Sequence, residues 1–385
     1  MYLRAYRNIR KMYQTDRKKQ VLHLEGNTYN AQNVIYEWKR MKEISLQTEK
    51  STPNCNQIQS RLELFGFLKD WFNDSEDMTV YTSGSTGTPK PILVHKRQMI
   101  ESARTTCRML ELAPGQKALL CLSIGYIAGI MMVIRALVAE LEVYTVLPNG
   151  YPLQYADNDY DFAAMVPMQI YNCLELSEEK ERLKRIGKLI VGGGPIPPKL
   201  ETALKEFPNA IYATYGMAET LSHVALRRIN GPNQDEYYTP LPNVRLKLNE
   251  NSCLLIDAPM VNDYLLITND RAEILEDGRF RILGRLDNVI NTGGIKVQVE
   301  TLEAFLSDYL EVPFAISSVQ DDKFGELLVL VVEGSINIPL LNQTLHAENV
   351  PAHEFPKRII SLSRLPRTDT GKIDRCALRK KIESM

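Results

Sequence analysis

The stretch Thr79–Leu93, TVYTSGSTGTPKPIL, frames the chain: an extended, β-branched start, then the small hydroxyl and glycine residues Thr82, Ser83, Gly84, Ser85, Thr86 and Gly87, then Lys90. Glycine lets backbone approach an anion closely, and exposed N–H groups with Ser/Thr hydroxyls can wrap phosphate oxygens. Lys90 supplies positive charge. Such a run is also an ordinary flexible turn when met alone. It is not a Walker A loop, because GxxxxGK[ST] is absent and the spacing from Gly84 through Gly87 to Lys90 differs.

From residue 79 to 228, short apolar runs such as Lys188–Val191 and Ala210–Ala213 alternate with helical segments such as Pro197–Phe207. That pattern predicts βαβ units and a mostly parallel sheet. Between Val244 and Leu283 the runs VRLKL, CLLI, YLLI and FRIL are separated by turn residues, as in antiparallel strands or a small barrel. After Gly284 the pattern predicts a helix over 299–310, a strand over 315–320, an apolar run over 327–333, a helix near 339–347 and a last helix over 374–382. The expected fold class is therefore α/β with a small antiparallel part, followed by a small α+β unit. The polar stretch Leu46–Ile58 reads as a loop or surface excursion.

The 385 residues carry 46 Lys+Arg against 47 Asp+Glu, so bulk attraction to nucleic acid or anionic membrane is not the default. Both ends are locally basic: the first fifty residues hold 11 basic and 5 acidic side chains, the last thirty 9 and 3. Six scattered cysteines show no CxxC spacing, which argues against a zinc ribbon or a disulfide framework and for a reducing compartment. The basic N-terminus has no apolar run of a secretory signal, and the expectation is a cytoplasmic protein. The uncharged run Ala118–Ile134 resembles a membrane span, but a span needs ~20 predominantly apolar residues. Here Ser123, Gly125 and Gly129 break the run and Arg135 ends it, which fits a strand, a turn and a helix over 127–141.

TSGSTGTPK resembles the phosphate-binding motif of the adenylate-forming superfamily of acyl- and aryl-CoA ligases, peptide-synthetase adenylation domains and luciferases. Further stretches match that family's motifs in order. Tyr215–Thr220, YGMAET, resembles YGxTE, which implies that Tyr215 and Gly216 lie at the adenine and that Glu219 holds Mg²⁺ on the phosphates. Thr268–Asp270 resembles TGD, whose aspartate, here Asp270, binds the ribose. Gly284–Gly294, GRLDNVINTGG, resembles GRxDxxI…GG, with Arg285 near ribose and phosphate and Asp287 at a hinge. Pro366–Lys372, PRTDTGK, resembles PRTxxGK, whose lysine, here Lys372, reaches the substrate carboxylate and the α-phosphate.

The resemblance implies an N-terminal AMP- and acyl-binding domain over 1–284, a mobile C-terminal lid over 287–385 and a hinge at 285–287. It implies ATP, Mg²⁺ and coenzyme A, with Gly192, Gly193 and Gly194 at the nucleotide and Gly293 and Gly294 on the face met by the thiol. A carboxylate would attack the α-phosphate of ATP, and a thiol would then displace AMP. Most of that catalytic work is positioning and charge neutralisation. Individually, Glu219, Asp270, Asp287 and Lys372 read as solvated turn and loop charges; the ordered set is what carries the implication.

GGGPIP over 192–197, TYGMAETLSHVALR and GRLDNVINTGGIKV look most like the o-succinylbenzoate:CoA ligases of menaquinone biosynthesis. That implies an aromatic dicarboxylic acid as substrate and a basic anchor for the carboxylate that is not activated. Ser222, His223 and Arg227 are the candidates, with helix-capping or surface positions as the alternative. Tyr126 is a candidate pocket gate or a plain core tyrosine. Ala218 departs from the motif's threonine and leaves nucleotide contacts there open. Another aryl- or acyl-CoA ligase, or a nucleotide-binding scaffold without catalysis, remain the alternatives. The segment ahead of Thr82 is short for the family, and no oligomeric state follows from the sequence.

Overall fold

The computed structural model describes residues 17–48, 54–81, 90–156, 158–322, 324–368 and 372–385. Its centre is a nine-stranded sheet. In spatial order the strands are Thr239–Pro240, His223–Arg228, Ala210–Gly216, Lys188–Val191, Phe162–Met165, Lys117–Leu120, Glu142–Thr145, Leu22–Leu24 and Asn27–Tyr29. The six strands from Ala210–Gly216 to Leu22–Leu24 run parallel to one another, with antiparallel additions at both edges.

The parallel strands read as uninterrupted apolar runs because both faces are covered. Ala118, Leu120, Phe162, Ala164 and Ile190 enter one apolar cluster with the helices Cys55–Phe72, Lys96–Met109 and Ile127–Ala139. Leu119, Ala163, Met165, Leu189 and Val191 enter the other, with Leu200 and Leu204 of the helix Pro198–Lys205. The period-2 alternation of side chains divides each strand between the two.

Strands Arg245–Leu248, Cys253–Asp257, Leu266–Ile274 and Phe280–Arg285 form a four-stranded antiparallel sheet, as the turn-separated runs predict. A single helical turn, Leu286–Asn288, leads to a separate five-stranded sheet made of Val289–Thr292, Ile295–Gln298, Phe314–Asp321, Gly325–Glu333 and Arg358–Leu362. Along Gly325–Glu333, Leu328, Leu330 and Val332 pack beneath the helices Val299–Leu306 and Ile338–Ala347, while Val329 and Val331 pack beneath Arg375–Glu383. These two clusters contain no residue before Ile290.

Several expectations are corrected. In the stretch Leu46–Ile58, expected as a loop or surface excursion, helix Val34–Gln47 takes in the first two residues and helix Cys55–Phe72 the last four, with residues 49–53 outside those described. Buried Leu64, Phe65, Leu68, Trp71 and Phe72 form one face of the second helix, and that packing overrides the local polarity of its first turn. The helix expected to reach Leu310 stops at Leu306. Arg135 ends the uncharged run and lies inside the expected helix, which spans Ile127–Ala139 and stops short of Leu141; no described helix is long and apolar enough to cross a membrane.

Candidate active site

Parallel strands deliver their loops to the carboxyl edge of the sheet, where ligands of open α/β folds collect. Lys188–Val191 ends in Gly192–Gly194, and its neighbour Ala210–Gly216 ends in the YGMAET turn. A Cβ on Gly192 would lie 2.1 Å from Thr214 Oγ1, and one on Gly216 2.3 Å from the Ser222 carbonyl oxygen, so both positions exclude a side chain. Gly193 has φ +83, the left-handed region that favours glycine.

The turn itself is held by Thr220. Its buried Oγ1 accepts from Met217 N at 2.9 Å and donates to Ser222 O at 2.6 Å. The threonine hydroxyl that follows the motif is thus spent on the backbone and does not replace the one lost at Ala218. Glu219 projects into solvent from the short turn Ala218–Thr220, and Asn262 Nδ2 donates to its carbonyl at 2.9 Å.

Tyr215 sits edge-on to Phe280 at 5.3 Å and donates its hydroxyl to Asp270 Oδ2 at 2.7 Å. Burial, then the neighbouring Asp270, push the phenol up from its ordinary range. The other Asp270 oxygen accepts from Arg285 Nη1 at 3.1 Å, and Arg285 forks onto both oxygens of Asp287 at 2.9 Å each. That fork raises the Arg285 pKa and holds the Asp287 carboxyl below its usual value. Adenine-, ribose- and hinge-assigned residues thus form one hydrogen-bonded line, because Asp270 and Arg285 face each other across adjacent antiparallel strands.

Lys372 comes from the far end of the chain. A bridge between Arg367 and Ile373 and the bond Thr368 N to Lys372 O at 2.8 Å tie 367–368 and 372–373 into a short antiparallel pair. From it the lysine stem lies against the glycine loop: its Cε is 3.4 Å from where a Gly194 Cβ would stand. Burial, then the nearby Arg285, lower the Lys372 pKa, and among the described residues no carboxylate pairs with it.

Thr82, Ser83, Gly84, Ser85, Thr86 and Gly87 lie outside the described residues. The hairpin strands Asp77–Tyr81 and Pro91–His95 bracket them, and Lys90 stands exposed where the chain re-enters. Gly293 and Gly294 form the two-residue turn between Val289–Thr292 and Ile295–Gln298 with φ +60 and +84, a mirror-image hairpin turn that calls for glycine at both places. Tyr126 is partly buried at the start of the helix Ile127–Ala139.

The expected carboxylate anchors divide. Arg227 is committed elsewhere: it forks onto both oxygens of Glu201 at 2.7 Å, donates to Asp235 O and lies over the Tyr238 ring. Ser222 and His223 instead join a buried relay that sequence reading missed. Arg135 donates to Ser222 Oγ, Ser222 Oγ lies 3.3 Å from His223 Nδ1, and His223 Nε2 lies 3.1 Å from Thr106 Oγ1. Burial drives His223 well below the usual histidine range and Arg135 down to about 10. Arg135 is 2% exposed, faces no carboxylate, and its Nε has no hydrogen-bond partner among the described residues. The one available signal was an arginine inside the apolar helix IAGIMMVIRALVA.

Among the described residues no group of three His, Cys, Asp or Glu side chains could hold a metal by itself. An exposed single carboxylate, Glu219, fits Mg²⁺ of the kind held by one or two carboxylates, waters and substrate phosphates.

Residues 14–255 match the model of the AMP-binding enzyme family, and the chain belongs to that family. A solved acyl-CoA synthetase (AMP-forming)/AMP-acid ligase II-like protein from Dyadobacter fermentans is 35% identical, with 87% of this chain and 97% of that one covered at a TM-score of 0.58. The 2-succinylbenzoate–CoA ligase of Salmonella typhimurium is 26% identical over 315 residues, covering 77% of this chain and 67% of its own. The fold is shared with the o-succinylbenzoate coenzyme A synthetase MenE from Bacillus subtilis, solved with ATP and magnesium, at a TM-score of 0.71, 17% identity and coverage of 95% and 98%.

Proposed function

We propose that this chain is an ATP-dependent acid:CoA ligase that converts o-succinylbenzoate to o-succinylbenzoyl-CoA, a cytoplasmic step of menaquinone biosynthesis. The observation that carries the ligase reading is the half-buried Lys372 ammonium, placed against Gly194 beside Arg285 and without a carboxylate partner among the described residues. A buried cation without a counter-charge is costly, and an anion arriving there offsets the cost. The names of the relatives support the particular acid.

In this reading a substrate carboxylate oxygen attacks the α-phosphorus, the bond to the bridging oxygen breaks and pyrophosphate leaves. Lys372 neutralises the carboxylate and phosphate oxygens that would otherwise repel, so no general base is needed. Tyr215 frames the adenine, and Asp270 trades its bonds to Tyr215 and Arg285 for the ribose hydroxyls. Mg²⁺, held by Glu219, would neutralise charge on the phosphates. In the second step the CoA sulfur attacks the acyl carbon, AMP departs with its phosphate oxygen, and the thiol proton passes to solvent.

Residues 1–284 act as the body and 287–385 as a lid hinged at 285–287, with Gly293 and Gly294 on the face turned to the thiol. Arg135 replaces Arg227 as the anchor for the second carboxylate, since its guanidinium donates to Ser222, three residues beyond Glu219, and meets no carboxylate among the described residues. ATP–pyrophosphate exchange across a panel of carboxylic acids tests the reading. Exchange strongest with o-succinylbenzoate is expected. Exchange only with other acids refutes the substrate, and no AMP release with any acid and CoA leaves the scaffold reading standing instead.

A further inference from the structure

Gly284, one residue before Arg285, lies where the chain leaves the four-stranded sheet for the turn Leu286–Asn288, and its surroundings leave no room for a side chain. It is buried with φ +143, and a Cβ there would lie 2.4 Å from Gln298 Nε2 and 2.6 Å from Glu300 Oε2. Gln298 ends the strand Ile295–Gln298 of the five-stranded sheet, and its amide reaches back across the junction. Nε2 donates to the Arg285 carbonyl at 3.0 Å, and Oε1 accepts from Arg271 Nη1 at 3.0 Å. Glu300 sets the amide's orientation: Oε2 accepts from Gln298 Nε2 while Oε1 accepts from Asn288 Nδ2 at 2.6 Å. The absent side chain at Gly284 is what leaves room for this arrangement.

We propose that Gln298 is a positioning residue for adenylate formation, a latch that holds the C-terminal part in the orientation that places Lys372 against Gly194. The inference rests on the ligase reading above for its kinetic consequence, but not for its geometry. Gln298 and Lys372 belong to one packed unit, whose strands and helices share their own apolar clusters. The chain enters that unit through the turn Leu286–Asn288, and near this pivot the helix Val299–Leu306 also lies against the strand Phe280–Arg285, so rotation there is limited by what ties the two parts at the junction. Two hydrogen bonds of Gln298, one donated to the Arg285 carbonyl and one accepted from Arg271, fix that rotation close to the pivot. Another tie, Lys199 Nζ to Leu310 O, is long at 3.4 Å and exposed. Lys372, far out on the rotating unit, stays beside Gly194 only while the rotation is fixed.

The test compares Gln298→Ala, Arg271→Ala and the double variant in two assays. In ATP–pyrophosphate exchange, Gln298→Ala is expected to slow adenylate formation about ten- to thirty-fold, as loss of two hydrogen bonds implies. Thioester formation from supplied acyl-adenylate and CoA, which does not need Lys372 at the phosphate, should stay within about twofold of the unaltered protein. Arg271→Ala should give a smaller loss of the same kind, and the double variant no more than Gln298→Ala alone. Equal loss of both half-reactions overturns the latch in favour of a general structural defect, and no loss in exchange overturns it outright.

An activity-independent arm uses spin labels on exposed Cys376 and on Lys205→Cys, in a Cys55→Ser background. Gln298→Ala should broaden the distance distribution between the two parts, and an unchanged narrow distribution refutes the latch. If the unaltered protein shows no exchange with any acid, the ligase reading fails, while the distance measurement still decides the latch.

Discussion

Replacing Arg227 with alanine separates two roles for this side chain, partner of Glu201 or anchor of a substrate carboxylate. In the structure the Arg227 side chain is 10% and the Glu201 side chain 22% exposed, and both fork bonds are 2.7 Å. Breaking a buried pair by removing one partner costs about 3–5 kcal/mol, and the partial hydration of Glu201 brings this to about 2–3 kcal/mol. For a cooperative unit of about 280 residues, an unfolding entropy of about 2.1 cal/mol/K per residue turns that into a fall in Tm of about 3–5 °C.

The effect carries a pH signature. Burial alone would raise the Glu201 carboxyl, but the Arg227 fork outweighs it and the carboxyl ends below its ordinary value. A depressed carboxyl stabilises above its unfolded pKa of about 4.3, and that contribution is lost as pH falls through the folded value. The Tm gap between Arg227→Ala and the unaltered protein should therefore be full at pH 7 and shrink below about pH 4. Thermal melts at both pH values, with the KM for o-succinylbenzoate at pH 7, decide the matter. An unchanged Tm together with a KM raised about tenfold or more would refute the structural assignment and return Arg227 to the substrate.

Other outcomes follow from the same geometry. Arg135→Met should raise the KM for o-succinylbenzoate about tenfold or more with Tm unchanged or higher, because a lone buried charge costs stability; a lowered Tm with unchanged KM would contradict this. Lys372→Ala should abolish pyrophosphate exchange and largely spare thioester formation from acyl-adenylate. Because burial and Arg285 lower the Lys372 pKa, and the protonated form is the useful one, kcat/KM for adenylate formation should fall as pH rises through a value below the usual lysine range. Gly192→Ala meets Thr214 Oγ1 at 2.1 Å and should disrupt the loop, whereas Gly194→Ala meets Lys372 Cε at 3.4 Å, an ordinary contact, and should retain exchange.

Much of this was legible without coordinates. The ordered glycine, acidic and basic motifs identify the chemistry because phosphate contact makes local demands: small residues where backbone must approach, a carboxylate or a cation at a set spacing. The uninterrupted apolar strands and the later alternating runs likewise announce sheets covered on both faces and then an antiparallel sheet, since side-chain period follows local geometry.

Partnership was not legible. Arg227 and Arg135 both follow apolar runs, yet one meets Glu201 and the other meets no carboxylate among the described residues. Gly284 reads as a motif glycine, and only its contact with Gln298 says why a side chain is excluded. Lys372 looks like a loop charge until the second sheet brings it to Gly194. The sequence by itself determined which groups are available and which backbone can approach an anion, both short-range properties. The tertiary structure decided which charge is paired, which is stranded and which side chains meet across the turn Leu286–Asn288, because those depend on residues tens to hundreds apart that meet only after the sheets have packed.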